Sequence, residues 1–254
     1  MIKAAAYLFV IVLGSSMLTS CEREIGNKVQ VIAATGDIRS KMEEFRKLLG
    51  SQLNTAPGSI GGHREINWDG VPTEWLDTPL PADFFNQVGP SASAAQQRGL
   101  LYTADGGGDF EVSRANFSEI NPAAAPQFKA FSGEQTFSNI NGNLWDVGFQ
   151  VAGKTIPASV KGFGIVFSDV DVANDSWMEF YDGNINLGRF FVPPHDASST
   201  FSFLGVYFKD RKVTRVEVSH GNGALNSGQK DISNGGPKDL VILDDFLYDE
   251  PVSR

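Results

Sequence analysis

The chain has 254 residues, a formal net charge of -9, 41% hydrophobic and 20% charged residues, and a single Cys. That balance can bury a core and excludes wholesale disorder; the acidic sum excludes nucleic acid as a main partner, because phosphate binding rests on clustered Lys and Arg. One Cys excludes an internal disulfide framework and a four-thiolate zinc site.

The chain opens with an address. Lys3 gives a positive start, 4–13 (AAAYLFVIVL) is apolar, and Ser15, Ser16, Thr19 and Ser20 are small residues before Cys21. This is the secretory pattern, and the apolar run is shorter than the ~20 residues that span a bilayer. Leu18-Thr19-Ser20-Cys21 resembles the bacterial lipoprotein signal. The resemblance implies a signal peptide over 1–20, acyl chains on Cys21, and attachment to the membrane through that lipid. The other reading is an ordinary signal peptide with an incidental Cys. Glu22, where lipoproteins of the inner membrane often carry Asp, favours the outer membrane or the cell surface of a bacterial envelope.

Residues 21–36 show no clear periodicity and are expected to form a tether. Residues 37–63 are expected to be a helix and a linker. Ile38, Met42, Phe45 and Leu49 lie on one helical stripe, expected to pack on the following domain. Asp37 is the candidate N-cap, and Gly50 the candidate left-handed stop. The Gly, Ser, Pro and Asn that follow read as a linker.

From residue 64 to 254 the pattern turns strand-like. Trp145, Val147, Phe149 and Val151 alternate with polar partners, and Phe163, Ile165 and Phe167 share a face with Gly162 and Gly164 between them. In 200–208 (TFSFLGVYF) the apolar parity switches, which predicts a bulge near Gly205. Further strands are expected at 109–113, 134–140, 176–182, 186–192, 212–219 and 239–248. No helical segments separate them, so parallel βαβ units are excluded. The expected fold is all-β: an antiparallel β-sandwich, jelly-roll or lectin-like, with one N-terminal helix packed on it. Trp145 belongs to its core, and Trp68 and Trp75 are expected at the sandwich end.

The motifs taken together have a familiar order: Phe45-Arg46-x-x-Leu49-Gly50, GHREINWDGVP (62–72), Ala82-Asp83-Phe84-Phe85-Asn86, Arg98-Gly99, GFGIVFSDVD (162–171), SFLGVYF (202–208) and LDDFLYDEP (243–251). They resemble a family of uncharacterised secreted bacterial proteins, many with a C-terminal sorting segment. The resemblance implies an extracytoplasmic β-sandwich and no particular reaction. This chain ends at Arg254 without such a segment, and the lipid on Cys21 is expected to take its place.

In the closing strand, 239–249, Asp244 and Asp245 fall on opposite faces of an apolar run, so one carboxylate must sit in an apolar row. A buried carboxylate needs a cation, an Arg or backbone donors. The arrangement resembles jelly-roll carbohydrate-binding modules, many of which end in an Asp that binds a structural Ca²⁺ with acids near the first strand. The resemblance implies Glu65, Asp69 and Asp245 as Ca²⁺ ligands, all oxygen donors of the kind Ca²⁺ takes. The alternative pairs Asp245 with Arg64, Arg98 or backbone N–H groups. A second acidic loop, 168–176 (SDVDVANDS), offers Asp169, Asp171, Asn174 and Asp175, and reads more simply as a turn with local hydrogen bonds.

Trp177, Glu179 and Tyr181 share one face of a strand and form the candidate ligand platform, two rings to stack on a sugar and a carboxylate to orient it. Catalytic signatures are missing: His63, His195 and His220 match no zinc motif, and there is no nucleophile elbow or phosphate loop. The sequence therefore points to a lipid-anchored extracytoplasmic protein that binds a glycan or a surface partner without chemistry. An envelope module binding protein, or a glycoside hydrolase using an Asp/Glu pair, are the alternatives.

Overall fold

The computed structural model describes residues 28–104 and 107–254; the signal segment, Cys21 and the first part of the expected tether lie outside them. In chain order come β1 (Val29–Thr35), α1 (Arg39–Leu49), β2 (His63–Ile66), β3 (Leu100–Thr103), β4 (Phe110–Ser113), β5 (Thr136–Asn139), β6 (Leu144–Phe149) and β7 (Ala158–Ser159). They are followed by β8 (Gly162–Ser168), β9 (Trp177–Asp182), β10 (Ile185–Phe191), β11 (Phe201–Phe208), β12 (Arg215–Ser219), β13 (Ile242–Asp249) and β14 (Val252–Ser253). The larger sheet has seven strands, ordered β1-β11-β8-β13-β5-β4 with β2 also on β13, and the smaller has five, ordered β10-β9-β12-β6-β3. Neighbours in both sheets pair antiparallel.

The two sheets close on one core. Phe137, Phe163, Phe246 and Tyr248 of the larger sheet meet Trp145, Val147, Met178 and Phe180 of the smaller. Trp68, expected at the sandwich end, lies fully buried in this core and stacks on Phe137 at 3.8 Å between ring centroids. The chain is an antiparallel β-sandwich with one helix packed on it.

The helix covers the outer face of the larger sheet. Met42, Phe45 and Leu49, with Ile38 just before the helix, are buried against Ile32, Val166, Phe203 and Leu247. Glycines make the seat. Gly164 and Gly205 are cross-strand partners, and a Cβ at either would stand 2.8 Å from the Phe45 ring. Asp37 accepts the Arg39 N–H at 3.3 Å, but Ile38 holds the cap position. Gly50 ends the helix at φ 120°, ψ 132°, outside the left-handed helical region expected for it. A Cβ there would strike Gly62 Cα at 2.8 Å, so close approach of two backbones sets the residue type.

Two further expectations need correction. Residues 29–35 of the tether form an edge strand paired along its whole length with β11, from Val29↔Phe208 to Thr35↔Ser202. Its periodicity is faint because only Ile32 is fully buried. No bulge interrupts β11 at Gly205, where register with β1 and β8 is continuous. Phe203 faces the helix while Leu204, Val206 and Phe208 face the inter-sheet core; a strand covered on both sides has no polar face to alternate with. The bulge is instead in β13. Leu243 pairs with Phe167 and Phe246 with Ile165, so Asp244 and Asp245 together oppose Val166. Leu243 and Phe246 both enter the core despite opposite parity.

Candidate functional site

Met178 and Phe180 of β9 point into the core, so Trp177, Glu179 and Tyr181 stand on the outer face of the smaller sheet. Register extends that face across all its strands. Glu179 lies opposite Arg189 on β10 and Glu217 on β12; Glu217 lies opposite Asp146 on β6, and Asp146 opposite Thr103 on β3. Tyr181 lies opposite Arg215.

A row of carboxylates on adjacent strands would repel itself, and two arginines prevent this. Arg189 donates to Glu179 Oε2 at 2.8 Å, joined by Asn186 to Oε1 at 2.8 Å and the Tyr181 hydroxyl at 3.0 Å. Arg215 donates to Asp146 Oδ1 at 2.5 Å and to Glu217 Oε2 at 3.4 Å. Each guanidinium also lies over an aromatic ring: Arg189 3.6 Å from the Trp177 centroid, Arg215 3.8 Å from that of Tyr181. Burial works to raise the Glu179 carboxyl, but the hydrogen bonds from Arg189, Asn186 and Tyr181 outweigh it and hold the group below its usual range. Two hollows flank this network. One of about 230 Å³ is lined by Leu144, Trp145, Asp146 and Glu217. The other, of about 330 Å³, includes Thr103, Gly148, Asn184, Thr214, Arg215 and Arg254.

The expected metal set does not gather. Glu65 receives Arg46 Nε at 2.7 Å and Nη2 at 3.1 Å, and His63 Nε2 lies 2.9 Å away. Burial alone would raise Glu65; His63 and Arg46 win and hold its carboxyl down at about 2. Asp69 turns to the N–H groups of Glu134 (2.8 Å) and Gln135 (3.2 Å). Asp245 accepts the Ser132 hydroxyl at 2.5 Å. Glu65 and Asp245 line the same cavity and Asp69 does not. The alternative named for Asp245 does not hold either: Arg64 is spent on Glu250 at 2.7 Å, Arg98 donates to Ala95 O and Asn54 O, and Asp245 takes a side-chain hydroxyl instead of a backbone N–H.

Oxygen donors converge elsewhere. Asp169, Asp171 and His195 form one group, and Asp171, Asp231 and Asp239 a second, with the ligand atoms of each within 4.8 Å of one another. Asp169, Asp231 and Asp239 are buried. Asp239 accepts the N–H groups of Asp171 and Val172, both at 3.1 Å, and Asp231 those of Ser233 and Leu240, both at 2.7 Å. Asp169 has no such support: His195 Nε2 is 3.6 Å away, and the Gln127 amide end lies 2.8 Å from it and 3.0 Å from Asp231. Burial, then Asp171 nearby, pushes the carboxyl of Asp169 up to about 7. Burial also pushes Asp239 up to about 7, against two backbone hydrogen bonds that lower it. These residues could hold a hard divalent cation. The acidic loop in the sequence signals Asp169 and Asp171. Its other two members do not join them: Asn174 is exposed and Asp175 accepts from Asn222. Asp231, Asp239 and His195 carry no local signal.

Arg189, Arg215, Asp146 and Glu217 were likewise invisible as site residues in the sequence. Their outward parity is readable within each strand, but the pairing order β10-β9-β12-β6-β3 that makes them neighbours is not.

No protein-family model matches the chain, and no curated protein matches it. The resemblance to uncharacterised secreted proteins therefore rests on the quoted motifs alone. Among solved structures, the chain is similar to TmCBM61 in complex with β-1,4-galactotriose at 12% identity, over 68% of this chain and 99% of that one, with a TM-score of 0.23.

Proposed function

We propose that this chain is a non-catalytic carbohydrate-binding β-sandwich that receives a glycan across the outer face of its smaller sheet. The supporting observation is the pair of partly exposed rings, Trp177 and Tyr181, with Glu179 between them and a guanidinium braced on each. A ring has two faces, and the arginine occupies one. An aromatic face stacks on the C–H surface of a sugar, while fixed carboxylates and guanidiniums orient its hydroxyls. Five strands at ~4.8 Å spacing give a face ~19 Å wide, room for an oligosaccharide rather than one ring. Binding is favoured over hydrolysis because glycoside cleavage needs an acid held protonated near neutral pH, and Glu179 is pushed the other way.

In this reading the acyl chains on Cys21 hold the sandwich in the bacterial envelope, at the outer membrane or cell surface, since several chains give stable anchoring where one does not. Ca²⁺ is structural and sits among Asp169, Asp171, Asp231 and Asp239, the convergence of these carboxylates with no Arg or Lys ion-paired to them among the described residues being the observation that favours it.

A pull-down on insoluble polysaccharides and a glycan array test the main reading. Retention should fall about tenfold or more in Trp177→Ala and Tyr181→Ala, with melting unchanged. No retention on any polysaccharide overturns it. Leu144 and Phe191 are exposed and flank Trp177 and Ser219 on the same cross-strand row. They favour the envelope-protein alternative, which predicts co-purification of an envelope protein lost in Leu144→Ser/Phe191→Ser and indifferent to added sugars.

A further inference from the structure

We propose that a second ligand site, for a single neutral sugar ring or comparable polyol, lies on the opposite side of the sandwich, in a cavity of about 370 Å³ beside α1. It is lined by Arg46 of α1, Glu65 of β2, Asn67, Arg98, Ser132 and Asp245 of β13, with Leu53 as an apolar wall. This proposal does not rest on the glycan reading of the smaller sheet.

The first argument is the chemistry of the walls. Two carboxylates and two guanidiniums border one hollow. Their formal charges cancel, which selects against a charged ligand. Nearly all of Asp245 is withdrawn from water, at 4% exposure. A carboxylate can accept about four hydrogen bonds; Asp245 accepts the Ser132 hydroxyl and one from the neighbouring Asp244 carboxyl, which leaves about two positions open. A buried acceptor left so short of donors is costly unless something else supplies them.

The second argument is which groups are already spent. Arg46 is held by Glu65 and Glu43. Arg98 gives its Nε to Ala95 O at 3.3 Å and its Nη1 to Asn54 O at 3.2 Å, and forms no ion pair among the described residues. The Asn67 side chain makes no hydrogen bond among the described residues. The cavity therefore presents donors on Arg98 and Asn67 and acceptors on Asn67 and Asp245. Neighbouring hydroxyls, each donor and acceptor at once, match that set, and the C–H face of a ring matches Leu53.

The third argument is rigidity. His63 lies 2.5 Å from Gly50 O through Nδ1 and 2.9 Å from Glu65 through Nε2, which fixes the floor. The loop carrying Ser132 is pinned twice: Asp244 Oδ2 accepts the N–H groups of Phe131 and Ser132, and Asp69 those of Glu134 and Gln135. A site ordered before the ligand arrives loses little freedom on binding. The fold draws Arg46, Glu65, Asn67, Arg98 and Asp245 to one hollow from positions spread between residue 46 and residue 245. Nothing in the proposed glycan face uses them.

The test titrates the whole described protein with neutral monosaccharides, linear polyols and uronic acids, followed by calorimetry or ligand-observed NMR. A neutral sugar or polyol should bind, and Asn67→Ala and Arg98→Lys should each weaken it about tenfold or more with unchanged melting. Neither residue holds a buried ion pair, so both variants should fold. Trp177→Ala should leave this binding intact, which separates the site from the glycan face. Three results overturn the proposal: no neutral sugar or polyol binding at tens of millimolar, binding that Trp177→Ala abolishes and Asn67→Ala spares, or binding of uronic acids alone.

Discussion

Asp244 and Asp245 occupy one β-bulge and reach for the same loop: Asp244 Oδ2 accepts the N–H groups of Phe131 and Ser132, at 2.5 and 3.2 Å, and Asp245 Oδ1 accepts the Ser132 hydroxyl at 2.5 Å. A regular strand would send one of these carboxyls into the hydrophobic core. The bulge spares the core and uses both to tie down a segment 112 to 113 residues distant in sequence.

This arrangement has a pH signature. Burial first, then Asp245, pushes the Asp244 carboxyl up to about 9. The folded state thus binds this proton more tightly than the unfolded chain, where a carboxyl titrates near ~3.9. The contribution to stability is complete below that value and is lost as pH rises towards 9. Glu65, held down at about 2, acts in reverse: its contribution is present above ~4.3 and lost as pH falls towards 2. Urea midpoints should therefore decline from pH 5 to pH 9, and Asp244→Asn should flatten that decline. An equally steep decline in Asp244→Asn contradicts the assignment.

Gly205 and Phe45 form a coupled pair. A methyl at 205 would stand 2.8 Å from the Phe45 ring, so Gly205→Ala should cost ~1–3 kcal/mol by overpacking. Phe45 is fully buried, and Phe45→Ala should cost ~3–5 kcal/mol through the cavity it leaves. The double variant should be more stable than the sum of the two losses implies, by ~0.5–3 kcal/mol. Strict additivity in denaturant unfolding would show that the helix does not rest on this seat.

Calcium should raise the melting temperature of the wild type and EDTA should lower it, because a ligand that binds only the folded form stabilises it by ~2.7 kcal/mol at a hundred times its dissociation constant. Asp239→Asn should abolish the response while Glu65→Gln leaves it intact. A melt indifferent to both additions rejects the ion.

If Cys21 carries the proposed lipid, Cys21→Ser should move the protein from the membrane fraction into the soluble fraction, because the acylated thiol is removed; no helix among the described residues is long and apolar enough to cross a membrane. Immunoblotting of fractionated cells reads this directly. Continued sedimentation of Cys21→Ser with membranes would mean another anchor.

The sequence by itself determined what depends on neighbours along the chain. The period of two in 143–151 and 176–182, the helical stripe from Ile38 to Leu49 and the lack of helices between strands were enough for an antiparallel sandwich with one helix on it. The same periodicity put Trp177, Glu179 and Tyr181 on one side of β9 against Met178 and Phe180. Tertiary structure decided everything that joins distant segments. It placed the bulge at Asp244–Asp245 instead of at Gly205, because α1 covers β11 from outside and gives it two buried faces. It drew Asp231 and Asp239 to Asp169 and Asp171, and Arg46 and Arg98 to Glu65 and Asp245. The reason is that side-chain direction repeats over a few residues and leaves a mark in the sequence. The pairing order of strands is set by packing of the whole chain, and a carboxylate carries no record of which remote group it will face.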